Sequence, residues 1–188
     1  EKAPASFTMV DAKPNDHGEK FKVQVFCDDC TGCGVCLDQC PMNKIPGKEA
    51  LTWSTIEAEK EAKEDVNEKF FNELPDNVMG KNTTKTIKGA MLRTPLFEFS
   101  GACAGCGETP YVKLVSQLFG ENAIVANATG CSSIYSGTFP TIPYTTNKEG
   151  RGPAWANSLF EDNAEFGFGM RLAVDQNRDT LKTYVEKV

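Results

Sequence analysis

With 188 residues the chain has room for one ordinary domain or two small ones, each with a modest core. Hydrophobic residues at 40% and charged residues at 24% suit a soluble globular protein, and no apolar run nears the roughly 18 residues of a membrane span. A net charge of -6 argues against nucleic acid as the main partner, because binding phosphates calls for a basic face.

The chain starts at Glu1 with neither a Met nor a charged-then-apolar signal segment, so it is expected to begin inside a longer polypeptide. Residues 1–20 are polar and hold Pro4 and Pro14, which reads as a loop or extended arm. FKVQVF at 21–26 alternates and is β-prone, predicting a short strand that leads into a cysteine run. Beyond that run, Ser54-Thr-Ile-Glu57 has a capping-box pattern. Ala58, Ala62, Val66, Phe70 and Leu74 then recur at i+4, which predicts one long amphipathic connecting helix. Residues 75–88 are polar, as in a linker or surface loop. A second domain is expected to begin near Thr94. It opens with a strand at 96–100, an N-cap at Thr109 with Pro110 at the first helical position, and a helix over 111–119 stopped by Gly120. A short buried strand at 123–126 completes an α/β unit. Residues 137–153 form a long loop of the kind that carries function or an interface. Asp162 to Glu165 opens a last helix with Phe166, Met170 and Val174 on one face.

Five of the eight cysteines crowd into residues 27–40, which favours a metal over a secreted disulfide scaffold. Cys30-Thr-Gly-Cys33-Gly-Val-Cys36-Leu-Asp-Gln-Cys40-Pro41 matches the C-x2-C-x2-C-x3-C-P spacing of a 4Fe-4S site. The two-residue spacers wrap a tight loop around one cubane, and Gly32 and Gly34 let the backbone pass close to the inorganic sulfides. A zinc site more often takes two separated pairs. In two-cluster ferredoxins the fourth cysteine of such a run serves the other cluster. Cys40 is therefore assigned to a neighbour, and Cys30, Cys33 and Cys36 require a thiolate from a second run that this sequence does not hold. Cys27, outside the motif, reads as a bystander thiol. A second pair, Cys103 and Cys106, lies in GACAGCGETP at 101–110, and Cys131 follows in TGCSS at 129–133. The pair alone also fits a thioredoxin-like redox couple or half a zinc site, and with Cys131 it supplies three ligands where a cluster needs four. Glu108 reads as a carboxylate favoured by a helix dipole. Spacing leaves these alternatives open.

The cysteine run, followed by FEFSGACAGCGETPY (97–111), NATGCSSIYSGTFPTIPY (127–144) and GRGPAWANSLFEDNAEFGFGM (150–170), closely resembles the single-chain pyruvate:ferredoxin (or flavodoxin) oxidoreductases. The resemblance covers nearly the whole chain, including the arm APASFTMVDAK at 3–13. It implies part of an enzyme that carries thiamine diphosphate, magnesium and 4Fe-4S clusters. Such an enzyme converts a 2-oxoacid, pyruvate foremost, and coenzyme A to acetyl-CoA and carbon dioxide, passing electrons to ferredoxin or flavodoxin. By position, Cys30, Cys33 and Cys36 would hold one cluster, Cys40 would cap its neighbour, and Cys103, Cys106 and Cys131 would hold the cluster nearest the thiamine. Glu108 and Cys131 would lie at the thiamine site, and the flanking Gly130 and Ser132 are added from the tight turn. No catalytic residue is assigned. The family's first cysteine run would precede Glu1, while the magnesium-binding stretch and a last cluster cysteine would follow Val188.

The architecture expected is an α+β ferredoxin-like 4Fe-4S segment (1–52), a connecting helix and linker (53–93), and the start of an α/β thiamine-diphosphate-binding domain (94–188). The chain's partners would be the rest of the parent polypeptide, itself a homodimer, with neither nucleic acid nor membrane. Its setting would be the cytoplasm of an anaerobe or a hydrogenosome-like organelle, where thiolates stay reduced. Other readings are a ferredoxin-like electron carrier or subunit without catalysis, an oxidoreductase for another 2-oxoacid, and a zinc-stabilised module.

Overall fold

The computed structural model describes residues 3–12, 20–76, 86–159 and 163–187, which form a mixed α/β chain with small sheets and several helices. By its contacts the chain divides into two units, Glu1–Asp76 and Asn77–Val188.

In the first unit, strand β1 (Val10–Asp11) pairs antiparallel with β2 (Lys20–Phe21), and Lys20 bonds Asp11 across the pair. The strand expected over 21–26 is paired only at Phe21; the rest runs on without ladder partners. Its alternation is also inverted. Lys22, Gln24 and Phe26 turn inward, with Gln24 Nε2 donating to Glu64 at 2.9 Å and Phe26 edge-on to Phe71 at 6.0 Å, while Phe21, Val23 and Val25 are exposed. The polar residues go in because they meet polar groups on the helix opposite.

The cysteine run leads into helix α1 (Val35–Gln39), and a 3-10 turn (Met42–Lys44) follows Pro41. Asn43 then ties the loop shut: its Oδ1 accepts from the Ala50 and Leu51 amides, and its Nδ2 donates to Leu51 O at 2.7 Å.

The single long helix expected from the i+4 stripe is two helices, α2 (Ile56–Glu61) and α3 (Glu64–Glu73). Lys63 stands at φ 66°, in the left-handed region, and breaks the run. The N-cap is Thr55, whose side chain accepts from Ala58 N, one residue later than the capping box placed it. The break also rotates the inner face. Of the predicted stripe, Phe70 is half-buried while Ala58, Ala62, Val66 and Leu74 are exposed. Asn67, which the pattern counted as polar and outward, is 0% exposed. Its Oδ1 accepts from the Ser6 hydroxyl at 2.7 Å, and its Nδ2 donates to Glu64 Oε1 at 2.9 Å. Phe7 sits edge-on to Phe70 at 4.9 Å with the Lys22 ammonium 4.8 Å from its ring centre. The arm is therefore seated on α3 by one aromatic and one buried amide.

In the second unit, α4 (Ile87–Met91), within the segment expected to be linker, is capped by the Thr86 hydroxyl; residues 77–85 of that segment lie outside the described residues. Helix α5 (Thr109–Phe119) has Glu108 as N-cap, so Thr109 is already helical and Pro110 is second. Buried Gln117 joins the two helices, donating to Met91 O and Arg93 O and so satisfying carbonyls at the end of α4. Gly120 does stop α5, but at φ -52°; a Cβ there would stand 2.9 Å from Leu96 Cδ1, so close packing calls for the glycine.

Residues 96–100 make no strand, only an isolated bridge between Phe97 and Tyr144. Leu96 and Phe97 are nonetheless the core here: the Leu96 amide donates to Ser116 Oγ, and Phe97 meets Tyr135 and Tyr144 edge-on at 6.1 and 5.0 Å. Strand β3 (Ile124–Asn127) falls one residue from its expected place and pairs parallel with β4 (Ala154–Asn157), which the sequence reading missed. Helix α6 (Cys131–Gly137) lies in the crossover between them, and α7 (Asn163–Val185) packs on β3, with its Phe166, Met170 and Val174 half-buried. Of the expected opening at 162–165, Asp162 lies outside the described residues and Asn163 is already helical. No helix among the described residues is long and apolar enough to cross a membrane.

Candidate functional site

The first cysteine set is presented by a loop that turns at two left-handed glycines. Gly32 and Gly34 stand at φ 67° and 76°, and Gly34 is the N-cap of α1. Cys30 and Cys33 are on the loop, Cys36 on α1, and Cys40 at its C-cap, where its amide donates to Cys36 O at 3.1 Å. Cys30, Cys33 and Cys36 are exposed and Cys40 is half-buried.

Cys27 differs in its surroundings. Partial burial pushes its thiol pKa up, and Glu59, Glu64, Glu68 and Asp28 push it further, so the thiolate that a metal needs is disfavoured there.

The second set lies in the other unit. Cys106 N donates to Cys103 O at 2.9 Å, closing a turn through Gly105 at φ 73°. Just ahead, Phe99 holds φ 51°, a left-handed conformation unusual for an aromatic residue, and the Ser100 hydroxyl accepts from Ala102 N. Cys103 and Cys131 are exposed and Cys106 is half-buried. Cys131 opens α6 behind Gly130, whose amide donates to Ser133 Oγ at 2.9 Å; Ser132 Oγ donates to Asn127 Oδ1 at 2.9 Å.

Glu108 is at the helix N-terminus as expected, but its side chain makes no cap bond. Its Oε2 accepts instead from the Tyr135 hydroxyl at 3.1 Å. Tyr135 is 5% exposed, and burial first, then this carboxylate, pushes its phenol pKa up to about 12. It therefore stays a donor at every physiological pH. Tyr144 is also raised by burial, against a lowering hydrogen bond with Ser136. Sequence reasoning missed Tyr135; the available clue was its i+4 spacing from Cys131, which puts both on one face of α6.

All eight cysteines are free thiols. In kind they fit an iron-sulfur cluster, which takes thiolates on tight turns. Among the described residues no three His, Cys, Asp or Glu side chains stand gathered closely enough to hold a metal ion. Asn127 and Asn157 face each other across the β3–β4 register at the carboxyl ends of the strands. Asn127 Nδ2 and Asn157 Oδ1 are buried without a partner. Such ends are where ligands enter parallel sheets.

No family model matches the chain. Among curated proteins it is 55% identical to the pyruvate:ferredoxin oxidoreductase of Moorella thermoacetica, over 98% of this chain and 15% of that protein. It is 51% identical to the probable pyruvate-flavodoxin oxidoreductase of Escherichia coli, over 95% of this chain and 15% of that one. It is 49% identical to the mitochondrial pyruvate dehydrogenase [NADP(+)] of Euglena gracilis, over 96% of this chain and 10% of that one. The resemblance read from the sequence is borne out, and the chain spans about 15% of the length of the first two relatives.

Proposed function

We propose that this chain, matched as it is to one segment of much longer pyruvate oxidoreductases, is the electron-exit segment of such an enzyme. The parent would carry out thiamine-dependent oxidative decarboxylation of pyruvate to acetyl-CoA and carbon dioxide and deliver electrons to ferredoxin or flavodoxin. The observation that carries this reading is identity of 55% along 98% of the chain to a protein named for that activity. The alternative of a non-catalytic carrier gains nothing from the same comparisons.

In this reading residues 1–52 are part of a ferredoxin-like domain, 53–93 connect, and 94–188 begin a thiamine-diphosphate-binding domain. When bound, the thiamine supplies carbanion stabilisation, and the clusters accept single electrons at low potential. This chain's own residues present thiolates and shape their surroundings. Cys30, Cys33 and Cys36 supply three ligands to one cluster and Cys40 one to the next; the positive-φ glycines leave room for the sulfides. Cys103, Cys106 and Cys131 supply three to the cluster nearest the thiamine. Glu108, Gly130 and Ser132 line the thiamine side of that turn, where Asn127 and Asn157 still hold unpartnered polar atoms. The remaining ligands, the magnesium site and the pyruvate and coenzyme A contacts belong to the rest of the parent, taken to be a homodimer of an anaerobic cytoplasm or a hydrogenosome-like organelle.

The test is an anaerobic assay of the parent for reduction of a low-potential dye that depends on both pyruvate and coenzyme A. Reduction is expected. A parent that binds thiamine but reduces the dye only with another 2-oxoacid would replace the substrate, and one without thiamine would leave the carrier reading.

A further inference from the structure

The two elements that bear the second cysteine set are far apart in sequence, and one side-chain hydrogen bond joins them. Glu108 follows Cys106 by two residues, and Tyr135 follows Cys131 by one helical turn, so the Tyr135 hydroxyl donating to Glu108 Oε2 at 3.1 Å links the Cys103–Cys106 turn to the Cys131 helix. The phenol ring does not depend on that bond for its place. It is 5% exposed and edge-on to Phe97, which is itself packed on Tyr144. The carboxylate does depend on it, because Glu108 is exposed and makes no cap bond to its own helix. A fixed donor thus orients an exposed acceptor two residues along the chain from Cys106.

We propose that Tyr135 is a positioning residue whose hydroxyl, by holding the Glu108 carboxylate, keeps the Cys103–Cys106 turn and the Cys131 helix together as one ligand set. The inference rests on the reading above that these three cysteines share a cluster. A phenylalanine would fill the same aromatic slot and remove only the clamp. Tyr144 offers a control in the same aromatic group, since its ring also packs edge-on to Phe97 while the bond to Glu108 comes from Tyr135.

The experiment uses the full parent protein under anaerobic conditions, with an iron chelator added and the electron paramagnetic resonance signal of each reduced cluster followed in time. A Cys131→Ser variant identifies the signal of the cluster in question. In Tyr135→Phe that signal should be lost about tenfold faster than in the wild type, the order expected for a hydrogen bond to a charged group. Signals of the other clusters should keep their wild-type rates. Tyr144→Phe should match the wild type. Glu108→Gln, which retains an acceptor oxygen, should hold the cluster longer than Glu108→Ala. Wild-type loss in Tyr135→Phe, or equal acceleration of every cluster signal, would overturn the clamp. A wild-type protein with no signal that Cys131→Ser removes would overturn the ligand set itself, and the clamp with it.

Discussion

Replacing Gly34 with Ala tests whether the first cysteine loop is held by backbone shape. Gly34 stands at φ 76°, where an L-residue with a Cβ costs about 1–2 kcal/mol. The added Cβ would also lie 3.1 Å from Trp53 Cζ2 and 3.6 Å from Cη2. Trp53 is 65% exposed, so its ring can tilt away, and the backbone cost should dominate. Gly32, at φ 67° with nothing within 4 Å of its would-be Cβ, isolates that cost. Both Gly32→Ala and Gly34→Ala should therefore lower the ratio of native to non-native loop by about 5- to 30-fold in the cluster-free state. The assay is cluster reconstitution in the parent, read as iron and acid-labile sulfide bound per chain at limiting iron. Gly34→Asn should do better than Gly34→Ala, since Asn tolerates the left-handed region. Wild-type reconstitution in both alanine variants would refute the reasoning.

Other perturbations follow from single contacts. Asn67→Ala strands the Ser6 hydroxyl and takes one donor from Glu64, which keeps its bond from Gln24, at about 1–3 kcal/mol, so deuterium uptake by the arm at 3–12 should quicken by roughly 5- to 150-fold; unchanged uptake would mean that Phe7 alone seats the arm. Cys27, its thiol pKa raised by burial and four carboxylates, ionises at higher pH than an ordinary thiol, so the pH profile of its alkylation in the cluster-loaded parent should lie to the alkaline side of that of an exposed model thiol. Protection of Cys27 until the clusters are stripped would make it a ligand. Gly152→Ala would bring a Cβ to 2.3 Å from the Thr145 carbonyl oxygen, a backbone atom that cannot swing aside. The lead into β4 must then shift, and the denaturation midpoint of the parent should fall by an amount worth about 1–3 kcal/mol.

The local chemistry of the cysteines was legible because spacing and glycine placement are local properties: the positive φ at Gly32 and Gly34 is where the motif asked for it. Helix α5 and strand β3 were found within a residue because a capping position and a short apolar run are also local, although the strand expected to be buried is half-buried with Ile124 exposed. The i+4 stripe misled, because it assumed unbroken geometry through Lys63 and a wholly apolar interface. A buried Asn67 shows the interface to be partly polar, and the arm's Ser6 together with Glu64 explains it. Strand β4 escaped because AWAN at 154–157 has no alternation of its own; it is a strand because β3 lies beside it. Tyr135 was hidden for a related reason, since its partner Glu108 is 27 residues away.

If the proposal holds, clusters held by this chain's thiolates accept the electrons that the parent takes from pyruvate. The most direct measurement adds pyruvate and coenzyme A anaerobically to the intact parent and follows the visible absorbance of its clusters. The account predicts prompt bleaching in the wild type, lost in Cys106→Ser although the clusters served by Cys30, Cys33, Cys36 and Cys40 remain. Clusters that are present and chemically reducible, yet untouched by pyruvate in the wild type, would contradict it.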